Sequence, residues 1–387
     1  MILRQVSALF LVFTVLTAWS AHSKELTCEY ATQRLQAVAD DVVRRGSLGT
    51  VLIVNIPGIC RIPIAAGHVD RERTIPMDAA RGFQIGSITK MFASASVQLL
   101  AKDGKLDLDD LVSKYVTGFA GSEQVTIRHL LTHTSGIGDG QLYVDNPRPY
   151  PKIKFTLEDF LFLSQLQGQQ FEPGEGFTYN NMAFVVLSRI AEMVSGQSRV
   201  EFLRQRIFKP LGMTHTYVGE AEAWPYDLMA RGYYANPESP GVFETTGPMD
   251  LSVASAAGDM ISTGDDLIAW MDALGTEGNP MGLWVEDFRE SPAKWKASDG
   301  ADSRRMVTEY GYGIIRMSLA GHIVWGHSGN IHGYNTMAYL DPQSRITFAF
   351  LSSYDGEPSS EERSGHDVMQ TAAVAALQVS LDLQNQR

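Results

Sequence analysis

Cysteine is scarce in this sequence: 2 residues in 387, Cys28 and Cys60. With no Cys-x-x-Cys spacing, they argue against a structural zinc site. Positive charge is also in short supply, with 32 Lys and Arg against 44 Asp and Glu and a formal net charge of −12. That balance argues against nucleic acid or an anionic membrane surface as a partner. Charge runs, internal repeats and low-complexity tracts are missing. Beyond the N-terminus there is no apolar run long enough to cross a bilayer. What remains is ordinary globular composition, 44% hydrophobic and 20% charged, long enough for a large core and two lobes.

Residues 1–23 read as a signal peptide. Arg4 supplies the positive start, Val6 to Trp19 is an apolar stretch short for a membrane span, and small residues allow cleavage after Ser20 or Ser23. The expected mature protein is therefore periplasmic or secreted, with no stable membrane span after processing. Cys28 is separated from the apolar run by Lys24 and Glu25, which argues against a lipid-modified cysteine. Export permits disulfides. Cys28 and Cys60 either bridge the first helix to an early strand or remain two separate buried thiols.

Hydrophobic periodicity predicts a first helix from Cys28 to Arg45, then strands Gly49 to Ile56 and Arg61 to Ala66 around Pro57-Gly58. Helices follow over Phe92–Lys102, Thr126–His133, Leu157–Ser164, Met182–Ser195 and Asp265–Leu274. Residues 220–250 read as an irregular excursion. The last third alternates as strands over Tyr310–Met317, His322–Gly326, Tyr334–Leu340 and Arg345–Leu351, and a helix over Asp367–Leu383 closes the chain. Strands at both ends with helices between predict an α+β fold, one antiparallel sheet assembled from both termini and an inserted helical lobe. The expected boundaries are about 24–86 and 252–387 for the α/β lobe and 87–251 for the helical lobe.

The chemistry is concentrated in three short motifs: Gly86-Ser-Ile-Thr-Lys90, Tyr179-Asn180-Asn181 and His327-Ser328-Gly329. Ser-x-x-Lys puts a hydroxyl and an amine three residues apart, on one face if Ser87 opens a helix. A serine is a weak nucleophile until a base takes its proton, and a desolvated lysine can be that base. Were a tyrosine to lie beside the same serine, as the resemblance given below implies for Tyr179, it and the lysine would be expected to lower each other's pKa. His129 and His133 have the spacing of a zinc pair, but no Glu follows His129 as in His-Glu-x-x-His. Gly326-His-Ser-Gly-Asn330 lacks the final glycine of a nucleophile elbow, so Ser328 is a poor nucleophile. Tyr310, Tyr312 and Tyr334 read as strand packing, and Asp107 and Asp109 as solvated turn residues.

In this order, the motifs resemble those of the serine hydrolases related to class C β-lactamases, D-alanyl-D-alanine carboxypeptidases and esterases. The resemblance also rests on Gly104-Lys-Leu-Asp-Leu-Asp109, His129-Leu-Leu-Thr-His-Thr-Ser-Gly136, Pro173-Gly174 and Ala257-Gly258, and runs from about residue 28 to the C-terminus. It implies a β-lactamase/transpeptidase-like fold with its site between the lobes. It further implies Ser87 as the acylated nucleophile, Lys90 as its base and Tyr179 as the proton shuttle. Asn181, His327 and Ser328 would bind substrate, and the backbone N–H groups of Ser87 and Asn330 would form the oxyanion hole. No cofactor or metal is called for. The departure is His327, where class C β-lactamases carry a lysine, a fixed cation in place of a group that titrates near neutrality.

The expected activity is serine acyl hydrolysis, D-Ala-D-Ala carboxypeptidase-like or D-amino-acyl peptidase first. A carboxylesterase and then a β-lactamase follow. Outside enzymes, the same fold would serve a penicillin- or peptidoglycan-binding sensor or scaffold. The expected partner is a small-molecule or peptide substrate: a D-amino-acyl peptide, an ester or a β-lactam.

Overall fold

The computed structural model describes residues 27–140, 154–219, 221–235, 242–246, 250–289, 293–294, 307–354 and 366–386. The expected signal peptide lies outside them. Helix α1 (Cys28–Arg44) begins at Thr27, whose hydroxyl oxygen accepts from the Tyr30 N–H, and buries Ala31, Leu35, Ala39 and Val42. That spacing of three and four is the stripe a helix lays on a sheet. β1 (Ser47–Ile56) and β2 (Cys60–Gly67) form an antiparallel hairpin in register from Gly49–Gly67 to Ile56–Cys60. A disulfide joins Cys28 and Cys60, with Cα atoms 6.4 Å apart, tying the first residue of α1 to the first of β2.

The middle of the chain supplies β3 (Gly82–Gln84), α2 (Thr89–Lys102), α3 (Ile127–Leu131), α4 (Leu157–Gln167), α5 (Asn181–Ser195), α6 (Arg199–Leu203) and α7 (Lys209–Leu211). Short strands β4 (Tyr217–Val218), β5 (Tyr233–Ala235), β6 (Val242–Glu244) and β7 (Met260–Thr263) follow, then α8 (Gly264–Leu274) and α9 (Val285–Arg289). The C-terminal third gives β8 (Ala293–Lys294), β9 (Val307–Tyr310), β10 (Ile315–Leu319), β11 (His322–Ile331), β12 (Tyr334–Leu340), β13 (Thr347–Tyr354) and α10 (His366–Asn385).

Eight strands form one antiparallel sheet in the order β2-β1-β13-β12-β11-β10-β9-β8, so the two ends of the chain meet at the β1–β13 pair. Every residue of β12 and β13 is buried, polar Asn335, Thr336, Thr347, Ser352 and Ser353 included. Helices α1 and α10 pack on each other and against the sheet, and α8 packs against β1, β12 and β13. Helix α2 is buried on all sides from Thr89 to Leu100, as its all-round small and apolar sequence requires. Among the described residues no helix is long and apolar enough to cross a membrane.

The structure differs from the sequence reading at three places that bear on the site. The helix expected over Thr126–His133 stops at Leu131, and His133 takes the left-handed backbone conformation, φ 59°. The strand expected over Tyr310–Met317 is two strands, split where the Gly311 N–H donates to the Ile314 carbonyl at 2.8 Å and Gly313 takes φ 70°. The strand expected over His322–Gly326 continues to Ile331 and carries the His-Ser-Gly motif within it.

Candidate active site

Ser87 sits in a single 3₁₀ turn, Gly86–Ile88, between β3 and α2. The turn lies against β11, and two glycines make that approach feasible. Gly86 has φ 50°, and a Cβ there would lie 3.0 Å from the Asn330 nitrogen and oxygen. At Gly329 a Cβ would fall 1.9 Å from the Ile85 carbonyl oxygen. Both positions demand glycine, the first also by its dihedral. The Asn330 backbone is thereby brought beside the Ser87 turn.

Lys90, one turn into the helical run, has no exposed surface. Its Nζ donates to Ser87 Oγ at 2.9 Å and to the Ala257 carbonyl at 2.8 Å. It also lies 4.8 Å from the centre of the Tyr179 ring. The Tyr179 hydroxyl also shares a hydrogen bond with Ser87. Ser87 Oγ therefore meets both the amine and the phenol. Tyr179 is half-buried by surface, yet protein packs closely round its phenol, and that burial pushes its pKa well above the ordinary tyrosine value. The hydrogen bond with Ser87 pulls the other way, while Asp139 and Tyr339 add to the rise. The expected lowering of the Tyr179 pKa is thus corrected: desolvation of the phenolate wins, and the group is a neutral O–H donor.

Asn180, between Tyr179 and Asn181, is buried and caps α5: its Oδ1 accepts from the Ala183 N–H at 2.8 Å, and its Nδ2 donates to the Ile137 carbonyl at 2.8 Å. Asn181 opens α5, and its Nδ2 donates to Asp139 Oδ2 at 3.4 Å. Asp139 also accepts from the Met182 N–H at 3.3 Å.

On β11, His327 is buried at 1% exposure. Its Nδ1 is 2.5 Å from the Ser328 carbonyl and its Nε2 is 3.0 Å from the Tyr310 hydroxyl. A carbonyl only accepts, so Nδ1 carries hydrogen, and in the neutral ring Tyr310 donates to Nε2. The His327 ring centre is 6.2 Å from that of Tyr179. Ser328, opposite Met337 of β12, has its hydroxyl beside the Tyr339 phenol. Asn330 is exposed, and its Nδ2 donates to Asn335 Oδ1 at 2.5 Å.

His129 and His133 have separate settings. His129 completes a capping box with Thr126: its Nδ1 accepts from the Thr126 N–H at 3.2 Å and its own N–H donates to Thr126 Oγ1 at 3.3 Å. His133 is fully buried in the site, its ring centre 4.5 Å from Tyr179 and 4.4 Å from Tyr310. His133, Asp139 and Tyr310 are the neighbours the sequence reading did not assign to the site. His133 stood in a motif already noted, but its left-handed backbone could not be read from composition or period. Tyr312 and Tyr334 are buried and hydrogen-bonded, Tyr312 to Arg128 and Tyr334 to the Ala230 carbonyl.

Known proteins resemble this chain. The penicillin-binding protein 4* of Bacillus subtilis (strain 168) is 30% identical over 311 residues, 76% of this chain and 66% of that protein. The chain thus spans just under two thirds of that relative's length. The solved D-amino acid amidase from Ochrobactrum anthropi SV3, complexed with L-phenylalanine amide, superposes with a TM-score of 0.79 at 27% identity, covering 91% of this chain and 99% of that one. A D-stereospecific amidohydrolase from Streptomyces sp. gives a TM-score of 0.72 at 26% identity, covering 87% and 99%. The family model described as Beta-lactamase matches residues 34–373, a stretch that contains Ser87, Lys90, Tyr179 and His327. The chain belongs to the β-lactamase family of serine hydrolases.

Proposed function

We propose that the protein hydrolyses D-amino-acyl amide or peptide bonds, in the manner of a D-Ala-D-Ala carboxypeptidase or D-amino-acyl peptidase, through an acyl-enzyme on Ser87. The observation that carries the reading is the convergence of Lys90 and the Tyr179 hydroxyl on one oxygen, Ser87 Oγ. In the acylation step Oγ bonds to the substrate carbonyl carbon and the Ser87 proton passes to Lys90, whose amine in its deprotonated form turns a lone pair towards Oγ in place of the N–H it donates there. The oxyanion meets the N–H groups of Ser87 and Asn330. Tyr179 gives its proton to the leaving nitrogen and regains one from Lys90. Water then attacks the acyl-enzyme, with the proton transfers reversed. The amidase likeness at 91% coverage supports the D-amino-acyl preference.

A carboxylesterase is the second reading, and His327 favours it. Both its ring nitrogens are engaged inside the protein, so a substrate carboxylate would have to displace one of them. We also propose export with loss of residues 1–23. The apolar segment after Arg4 and the Cys28–Cys60 bridge support it. N-terminal sequencing of the secreted product checks that point.

The deciding experiment compares turnover of a D-alanyl-D-alanine peptide, D-phenylalanine amide, p-nitrophenyl acetate and nitrocefin, with mass spectrometry of a fluorescent penicillin adduct. Peptide or amide turnover with an adduct on Ser87 supports the first reading. Ester turnover alone moves the assignment to the esterase, and nitrocefin turnover alone to a β-lactamase. A stable adduct with no turnover of any of the four makes the protein a sensor.

A further inference from the structure

His133 is a buried titratable group for which the acyl-transfer steps have no use. Its Nδ1 is 3.0 Å from the Asn180 backbone nitrogen. A backbone N–H can only donate, so Nδ1 accepts, and a neutral ring must carry its hydrogen on Nε2. Nε2 is itself buried, with no hydrogen-bond partner among the described residues. It is surrounded by aromatic rings: Tyr179 at 4.5 Å, Tyr310 at 4.4 Å and Phe184 at 5.2 Å between centres. The imidazole is thus packed among aromatic rings.

We infer that His133 is the positioning residue of the proton donor Tyr179: its Nδ1 holds the Asn180 backbone, and its ring backs the Tyr179 ring, fixing the angle at which the phenol reaches the leaving group. Asn180 is the pivot, since it is held at its backbone by His133 and at its side chain by Ile137 and Ala183. Tyr179 precedes this clamp and Asn181 follows it. The left-handed backbone at His133, φ 59°, turns the ring inward at the end of α3, and histidine and asparagine are among the residues that accept it. The groups around the ring that carry or can carry charge are Lys90, His327, Tyr179 and Tyr310. Burial first, then Lys90 and His327, keep the imidazole neutral, so it adds no cation that would favour a Tyr179 phenolate.

The inference rests on Tyr179 as the leaving-group acid, and the test separates the two. Wild type, His133→Phe, His133→Asn and Tyr179→Phe are assayed on p-nitrophenyl acetate, whose leaving group departs as an anion, and on phenyl acetate, whose leaving group needs the proton more. His133→Phe should lose phenyl acetate kcat/KM, which reports acylation before the shared acetyl-enzyme is reached, at least about ten-fold more than p-nitrophenyl acetate kcat/KM. A general loss of folding or packing would lower both equally. His133→Asn, which keeps an acceptor near Nδ1, should stay close to wild type in that ratio. If Tyr179→Phe also leaves the ratio unchanged, the reading of Tyr179 fails. If Tyr179→Phe changes it and His133→Phe does not, His133 alone is excluded. Should His133→Phe not fold, a changed ratio in His133→Asn counts against the inference. Independently of any variant, histidine ¹⁵N NMR of the wild type should show His133 with hydrogen on Nε2 only. The opposite tautomer, or an imidazolium at neutral pH, overturns it.

Discussion

The Ser87–Lys90 wall and the Tyr179–Asn181 wall of the site are held in different ways. On the first, the pairing is local: three residues along one helical run bring Nζ to Oγ at 2.9 Å, and the distant Ala257 carbonyl also accepts from Nζ. On the second, the motif's own cap, Asn180, does not suffice to place the phenol. Tyr179 is set by the capped start of α5, by His133, 47 residues before Asn180 in the chain, and by Tyr310 on β9. The proposed nucleophile and base are therefore built by short-range geometry, and the proposed proton donor by packing between segments that meet only in the finished fold.

The sharpest way to break the first wall is to remove its oxygen. Ser87→Ala should lower kcat by about 10⁴ to 10⁶ with an unchanged thermal midpoint, and it should abolish the penicillin adduct seen by mass spectrometry. An adduct transferred to Ser328 would instead make β11 the nucleophile strand. On the second wall, Tyr179→Phe should cost about 10² to 10⁴ in kcat, since acylation loses its proton donor while the packing of the ring survives. Fluorophosphonate labelling of Ser87 should persist, because fluoride leaves without a proton. Labelling that vanishes along with turnover would mean that Tyr179 activates the nucleophile.

A third substitution tests the seam that brings β11 to the Ser87 turn. Gly329→Ala places a methyl 1.9 Å from the Ile85 carbonyl, so the turn and the strand must separate. A displacement of this order in an active site costs about 10² in rate. The loss should appear in kcat for ester and amide alike, because the oxyanion site serves both. Thermal denaturation with parallel kinetics checks it. Full activity would show that the Asn330 N–H does not stabilise the oxyanion.

The same contrast explains what could be read from the sequence. The Ser-x-x-Lys pair, the apolar burial of α2 and the antiparallel C-terminal strands depend on residue spacing and period, and the structure has them close to where the pattern places them. The short helix α3, the break between β9 and β10, and the inward turn at His133 depend on dihedral choices at single residues: φ 59° at His133 and 70° at Gly313. A residue four along from His129 looks equivalent on a helical wheel. Once the helix ends at Leu131, His129 is a half-buried helix cap and His133 is fully buried beside Tyr179. The pKa of Tyr179 was unreadable for a related reason. Proximity to a lysine suggests a lowered value, and only the full packing round the phenol reveals that desolvation dominates.

The smallest expected effect tests that buried histidine through its proton. His133 is held below the ordinary histidine value by burial first, with the neighbouring basic groups Lys90 and His327 adding to it. In the unfolded chain it titrates near 6.5. A group whose folded pKa is depressed binds its proton more readily when unfolded, so its contribution to stability is present above 6.5 and is lost as pH falls below it. His129 and His332 shift in the same direction, but both remain in a His133→Asn variant and cancel in the difference. Wild type should therefore lose about 2 kcal/mol relative to His133→Asn between pH 7.5 and pH 5.0, the linkage expected of one proton taken up on unfolding. Urea denaturation of both proteins at three pH values in that range measures it. Parallel stability curves would mean that His133 is protonated in the folded protein as readily as in the unfolded chain. The second wall of the site would then be held by a cation, and Tyr179 would sit closer to its ionised form than its packing implies.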